Sequence, residues 1–323
     1  MIGYYPFDLF WVVAFQSLGD GLLRPMKFFS YLGTEEFYLI VLPFLYWCID
    51  AGLGLRVGVI LLFSSGVNSI LKIPFRGPRP YWVSAKVKPF WTETSFGIPS
   101  GHAQEAVAVW GGAAWSLRRR WAWWIAIAVM IMIGLSRAFL GAHFFLDVLA
   151  GWIVGCLLLW AFLRFWDPIA DWVNRQTTGR KVTLAFLISL TMVVLGMSVV
   201  SGSRDYRLPE AWIQNAVRSG TEVPFPVSLS GILTSVGTLF GMLAGVAWMD
   251  SLGDWQVTGS WMKRVARYLV GLVGLAVLWY GLGEIFPRGE ALLPYVLRFI
   301  RYALLGTWVS AGAPWLFKKI RLT

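Results

Sequence analysis

The two histidines of this 323-residue chain fall in one stretch, Lys72 to Asp147, among polar clusters set at the ends of long apolar runs. The first cluster reads Lys72-Ile-Pro-Phe-Arg-Gly-Pro-Arg79-Pro80 and the second Pro99-Ser100-Gly101-His102. The third joins Ser136-Arg137 through five residues to His143 and through three more to Asp147. Lys72, Arg79 and Arg137 can bring positive charge to the non-bridging oxygens of a phosphate, each Arg as a planar fork and Lys as a compact point charge. Ser100 and Gly101 stand where a helix would begin, so their backbone N–H groups and the serine hydroxyl can point at the same oxygens. His143 and Asp147, four apart on an expected helix, share a face. The carboxylate can then hold the imidazole by one nitrogen and leave the other as nucleophile or base. His102 is the second histidine and can serve as general acid, since a leaving alkoxide needs a proton and a group titrating near neutrality can give one and later take one from water.

Each residue alone has a plainer reading. Lys72 could be a snorkelling lysine at the end of a span, Arg79 an interface anchor, His102 a helix-start capping residue and His143 a buried histidine bonded to Asp147 for structure. In register together they form an anion clamp with its chemistry attached. Arg76, inside the first spacer, is either a phosphate or headgroup contact or a solvated loop charge. Glu105, three residues after His102, either tunes that histidine or makes a structural polar contact. Trp91 and Trp110 read as interface anchors and packing rather than a substrate cage.

The three clusters resemble the type 2 phosphatidic acid phosphatase superfamily, whose pattern is K-x6-RP, then PSGH, then SR-x5-H-x3-D. All eleven specified positions match in order and spacing, and at roughly one in twenty per residue type a chance match is remote. The resemblance runs to about Gly202. It implies an integral-membrane lipid phosphate phosphatase in which His143 attacks phosphorus to form a phosphohistidine, assisted by Asp147, while His102 protonates the leaving group. Lys72, Arg79, Ser100, Gly101 and Arg137 would bind the phosphoryl group and stabilise its transition state. It further implies no metal and no cofactor. The run from Leu32 through Glu35, Glu36, Pro43, Tyr46 and Trp47 to Asp50 looks like the first-span region of the sphingoid-base-phosphate phosphatase branch. Members with the same motifs also act on undecaprenyl pyrophosphate, phosphatidylglycerol phosphate and phosphatidic acid. A glucose-6-phosphatase-like enzyme for a soluble phosphate ester, a vanadium haloperoxidase-like oxidoreductase and a non-catalytic lipid binder stand as alternatives.

The elements that must position these residues are membrane helices. The chain is 57% hydrophobic and 14% charged, with mean hydropathy +0.63, 20 Trp and 22 Phe, whereas a soluble domain carries about 25% charged residues. Backbone in hydrocarbon has to bond internally, and no alternating, turn-separated strand pattern suggests a barrel. The expected fold is therefore all-α, a polytopic membrane helical bundle with a six-helix phosphatase core and about three extra C-terminal transmembrane helices. Nine spans are expected, near 33–49, 53–71, 102–117, 121–140, 144–165, 183–202, 226–249, 264–284 and 292–313. The expected division is an N-terminal interfacial or re-entrant segment over 1–32, the core over 33–202 and the extension over 203–323.

Phe7 to Leu18 is apolar but short and interrupted by Asp8 and Gln16, which suggests a helix at the interface rather than a crossing. No basic n-region or small-residue cleavage site marks a removable signal peptide. The net charge of +11 sits between apolar runs, which fits topology signals and anionic headgroups rather than nucleic acid. The expected partners are the bilayer and a membrane lipid phosphate substrate. Cys48 and Cys156 lie in apolar segments and read as packing residues rather than a disulfide. Arg118-Arg119-Arg120, in a short turn on the face away from the site, reads as cytoplasmic. The site then faces periplasm, exterior or lumen, in a multi-pass protein expected in a bacterial inner membrane. Gly237, Gly241 and Gly245 repeat at the spacing of close helix approach; a buttress for the core, a lipid groove and a homodimer face all remain open uses. The loop Ser203 to Pro224 is expected on the active face, where it could cover the pocket.

Overall fold

The computed structural model describes residues 5–253 and 255–322, and among them every regular element is helical. In chain order the α-helices are α1 (Tyr5–Gln16), α2 (Leu23–Tyr31), α3 (Glu35–Phe44), α4 (Ala51–Phe75), α5 (Pro80–Val83), α6 (Gly101–Ala106), α7 (Gly112–Leu117) and α8 (Arg120–Phe139). They continue as α9 (Phe145–Asn174), α10 (Thr178–Ser201), α11 (Glu210–Arg218), α12 (Ser230–Ser251), α13 (Trp261–Ala276), α14 (Leu282–Ile285), α15 (Leu292–Thr307) and α16 (Ala313–Lys319). Single π-helical turns join α6 to α7, α13 to α14 and α15 to α16.

Among the described residues six helices are long and apolar enough to cross a membrane: Ala51–Val83, Arg120–Phe139, Phe145–Asn174, Thr178–Ser201, Ser230–Ser251 and Trp261–Ile285. A seventh span results if Asp20–Tyr31 and Glu35–Ile49, bent by 51°, are taken as one. Two of the nine expected spans, near 102–117 and 292–313, are helical without belonging to this set. The first runs only from Gly101 to Leu117, shorter than any of the six. The second carries Arg298 and Arg301 along an amphipathic helix rather than a uniformly apolar one.

The chain divides into two compact units built from alternating segments. The first comprises Met1–Phe37, Asn68–Trp160 and Ser198–Ser228 and holds all three clusters. In it α2 packs along α8, and α11 lies on α5, where the Asn215 amide donates to the Trp82 carbonyl at 3.0 Å. Val12, Tyr81, Trp82, Phe96, Phe144 and Ala216 form a shared core. The polar residues that interrupt Phe7 to Leu18 are its docking points. Both oxygens of Asp8 accept backbone N–H groups at the start of α9, from Phe145 at 3.1 Å and Leu146 at 3.0 Å. Gln16 donates to the carbonyls of Lys88 and Phe139, each at 2.9 Å, and accepts from the Lys88 N–H.

Asp8 is 4% exposed and satisfies two donors that a helix start leaves without partners. Asp8→Ala is therefore expected to lower the thermal midpoint of the detergent-solubilised protein, at a cost of about 1–3 kcal/mol. Asp8→Asn, which keeps one acceptor, should recover part of the loss; equal midpoints for all three proteins would refute the capping role.

The second unit comprises Tyr38–Val67, Ala161–Met197 and Leu229–Thr323. Its glycine ladder is occupied by the chain's own α15. Gly237 faces the Phe299 carbonyl and Gly241 the Ala303 carbonyl, so α12 and α15 approach closer than side chains would allow, and Gly245 faces the Ser310 hydroxyl in the π turn that follows α15. At the other end Tyr46, Trp47, Met249, Trp255 and Phe317 share a core, and Lys181 pairs with Asp250 at 2.9 Å.

Candidate active site

Within the first unit the helices deliver the three clusters to one place. Lys72 sits in the last turn of α4, Arg79 immediately precedes α5, Ser100 caps α6, Arg137 lies in the last turn of α8, and Asp147 lies in the first turn of α9. His143 falls in the short link between α8 and α9. Arg79, Arg137, Ser100 and His143 are 0% exposed. Hydrophilic side chains withdrawn this far from solvent need partners, and their partners define the site.

His143 Nδ1 lies 3.4 Å from Asp147 Oδ2, and its Nε2 lies 3.3 Å from Arg79 Nη1. A guanidinium only donates, so Nε2 must present its lone pair to Arg79 and the ring proton must sit on Nδ1, facing the carboxylate. Asp147 Oδ2 also accepts the Phe144 N–H at 2.9 Å, which fixes the carboxylate beside the ring. Gly97 is required here, because a Cβ at that position would fall 2.8 Å from Asp147 Oδ2. Burial, and then the charges of Arg79 and Lys72, push His143 well below the usual imidazole range and keep it neutral.

Arg79 is held on every donor side. Its Nε donates to the Ser95 carbonyl at 2.7 Å and its Nη1 to the Ala142 carbonyl at 2.9 Å. Its Nη2 donates to Glu93 Oε2 at 2.7 Å and to Ser95 Oγ at 2.9 Å. Arg137 donates from Nη1 to Ser30 Oγ at 2.6 Å and from Nη2 to Glu93 Oε1, and lies over the Trp91 ring at 5.2 Å. Lys72 donates to the Phe96 carbonyl at 2.8 Å and to Ser95 Oγ at 3.3 Å. Glu93 is thus the anion shared by the two arginines. Burial opposes its charge, but Arg79, Arg137 and Lys72 outweigh that cost and hold its carboxyl well below the usual range.

The Ser100 hydroxyl and His102 Nε2 are both buried without a hydrogen-bond partner. The His102 ring stands edge-on to Trp91, with centroids 6.1 Å apart. One expected donor is engaged elsewhere: the Ser100 N–H is bonded to the Asp147 carbonyl at 2.9 Å, tying the second cluster to the third. Gly101 opens α6 with its Cα facing Asn68. Glu105 is buried one turn past His102 on the same helix. Arg76 turns away from the cluster, donating to Ser203 Oγ at 3.1 Å and lying 4.5 Å above the Tyr206 ring, so it fastens the Ser203 loop.

Four contributors were not evident from the sequence. Glu93 and Ser95 come from the spacer before Pro99, Ser30 from α2, and Asn68 from α4, where its amide donates to the Pro99 carbonyl and to Gln104 Oε1. As the one acid beside four cations between Ile73 and Ile98, Glu93 carried a usable signal. Ser30 is one of many small polar residues in apolar helices and carries no such mark. A cavity of about 430 Å³ adjoins the arginine pair, lined by Glu35, Tyr81, Thr92, Glu93, Thr221 and Glu222 among others. Thr221 and Glu222 bring the Ser203 to Pro224 segment, which holds α11, to the edge of this cavity. It is pinned there by the Phe225 N–H, which donates to the Thr94 carbonyl at 3.0 Å.

Residues 53–171 match the model of the PAP2 superfamily, and residues 233–323 that of the PAP2 superfamily phosphatase, transmembrane extension. The chain carries a PAP2 superfamily domain. With the extension and its apolar helices it is a multi-pass integral membrane protein. Sphingosine-1-phosphate phosphatase 1 of Rattus norvegicus is 25% identical over 169 residues, covering 50% of this chain and 38% of that one. Glucose-6-phosphatase 3 of Bos taurus is 26% identical over 330 residues, covering 89% and 87%. Phosphatidylglycerophosphatase B of Bacillus subtilis is 30% identical over 125 residues, covering 35% and 59%. The chain spans about two fifths of the length of the sphingosine-1-phosphate phosphatases it matches, 38% for the rat protein and 42% for phosphatase 2 of Mus musculus. No solved structure gives a significant match.

Proposed function

We propose that this PAP2 domain is a membrane phosphatase that hydrolyses a lipid phosphate monoester or pyrophosphate through a phosphohistidine, without a metal, on the extracytoplasmic face. The observation that carries the reading is the orientation of His143, whose Nε2 lone pair is turned toward the arginine cluster while Asp147 takes the Nδ1 side. In the first step Nε2 forms a bond to phosphorus, the ester P–O bond breaks, and the leaving oxygen takes a proton from His102; burial and Arg137 hold that imidazole well below its usual range, so the phosphate dianion must first draw the proton onto it. In the second, water attacks the phosphohistidine after giving a proton to His102, and inorganic phosphate leaves with His143 restored. Lys72, Arg79, Arg137 and Ser100 meet the equatorial oxygens, where charge is spread in the transition state. The Arg118-Arg119-Arg120 turn, basic and short at the opposite end of α8, supports that face.

A second reading, hydrolysis of a soluble sugar phosphate, is favoured by one observation: the bovine glucose-6-phosphatase 3 match extends over 89% of this chain. Phosphate release separates the two. The purified protein, with EDTA, is offered sphingosine 1-phosphate, phosphatidic acid, phosphatidylglycerol phosphate, undecaprenyl pyrophosphate and glucose 6-phosphate. Release from a lipid in preference to the sugar is expected, preference for the sugar supports the second reading, and folded protein releasing phosphate from none of them would sink both.

The neutral state of His143 makes a pH prediction. An ordinary imidazole would be half protonated near 6.5, and a protonated Nε2 cannot attack. Because burial and Arg79 push its pKa down, the nucleophile stays competent as pH falls below that value. The acid limb of kcat/KM, after allowance for the substrate's own second ionisation near about 6, should therefore lie well under about 6.5. A limb at or above the ordinary imidazole value, assigned to His143, would contradict the site's electrostatics.

A further inference from the structure

Arg79, just before α5, and Arg137, in the last turn of α8, are both 0% exposed and share one carboxylate between them, Glu93 Oε2 on Arg79 and Oε1 on Arg137. A carboxylate spanning two guanidiniums takes the arrangement that two non-bridging oxygens of a phosphoryl group would take. Arg137 Nε, Ser100 Oγ and His102 Nε2 are buried and without hydrogen-bond partners. A ligand with further oxygens, which a carboxylate lacks, would satisfy them.

We infer that Glu93 is an internal anion that occupies the phosphoryl position on Arg79 and Arg137 in the empty site and swings out when substrate binds; this rests on the phosphoryl site proposed above. Two buried cations facing each other without an anion would repel at low dielectric. Glu93 removes that cost while the site is empty. A phosphate dianion in contact with the same carboxylate would be repelled in turn, so the two anions exclude one another. The carboxylate has somewhere to go: its side chain is 26% exposed and forms part of the wall of the 430 Å³ cavity. The backbone does not need to move, because the Glu93 N–H donates to the Tyr81 hydroxyl at 3.1 Å and its carbonyl accepts from that hydroxyl at 2.8 Å. Rotation of the side chain alone exchanges one anion for the other. The same contact acts on the product, since the returning carboxylate competes with inorganic phosphate for the arginines and so helps release it.

The alternative is a brace that never leaves, holding the guanidinium planes while phosphate binds to their other edges. Titration of inorganic phosphate and of vanadate into the full-length protein in detergent distinguishes the two, with thermal unfolding to show that each variant is folded. Displacement predicts that Glu93→Gln binds both anions about tenfold more tightly or better, because the charge-assisted competition is gone. Product inhibition by phosphate should deepen in step. Glu93→Asp, too short to span both arginines, should bind phosphate more tightly than the wild type by a smaller factor, and it carries the test alone if the Gln variant does not fold. Unchanged or weaker anion binding in the folded variants would overturn the inference and leave Glu93 as a brace. A wild-type protein that bound neither anion would remove the phosphoryl site, and this inference with it.

Discussion

His143→Ala is expected to lower phosphate release by about 10⁴-fold or more while the protein remains folded. The size follows from the role. Without Nε2 there is no covalent route, and the remaining cationic cradle can only hold a phosphoryl group in front of water. The fold should tolerate the change, because the bonds that organise the link between α8 and α9 come from the backbone: the His143 and Ala142 N–H groups both donate to the Arg137 carbonyl. Asp147 would keep its bond from the Phe144 N–H. Kinetics in detergent with the best substrate, beside a melting curve, checks both halves of the expectation. A residual rate within about tenfold of the wild type would mean that the nucleophile lies elsewhere.

Arg79→Lys keeps the charge and is nonetheless expected to reduce kcat/KM by about 10³-fold. Arg79 orients as well as attracts. It donates to the Ser95 and Ala142 carbonyls, to Ser95 Oγ and Glu93, and to His143 Nε2. A lysine ammonium has three donors on a flexible stem and cannot reach this set at once, so His143 loses the partner that fixes its tautomer. Buried carbonyls left without a donor also cost stability, and the melting temperature should fall with the rate. Comparison with Arg79→Ala separates the terms: if Lys restores most of the activity lost in Ala, charge alone suffices and the oriented fork is unnecessary.

The site was legible in the sequence to the extent that it is built from helix ends. Lys72, Ser100, Arg137, His143 and Asp147 are marked by their spacing and by their place at the edges of apolar runs, and those edges are where α4, α6, α8 and α9 begin or end. The interleaving of the two compact units was not legible, because contacts between distant segments leave no periodicity. Asp8 shows the same limit. As a carboxylate in an apolar run it looked like an interruption, and only the arrival of α9 beside α1 makes it a cap. Arg76 is the converse case, a cation in the right stretch whose positive φ of 51° turns it toward Ser203 and Tyr206. The glycines of α12 were legible as a close-packing face, whereas the identity of the facing helix, α15, was not.

The central claim is that phosphorus passes through a bond to His143 Nε2. The direct test is to mix the purified protein with a ³²P-labelled substrate for a few turnovers, quench in base and look for label on the chain. Phosphohistidine is stable in base and labile in acid, so label with that behaviour is expected in the wild type and on the peptide containing His143. More of it should accumulate in His102→Ala, where hydrolysis of the intermediate lacks its base, when a substrate with a good leaving group is used. No label should appear in His143→Ala. Turnover by the wild type with no trapped phosphohistidine in either protein, or label that persists in His143→Ala, would contradict the account.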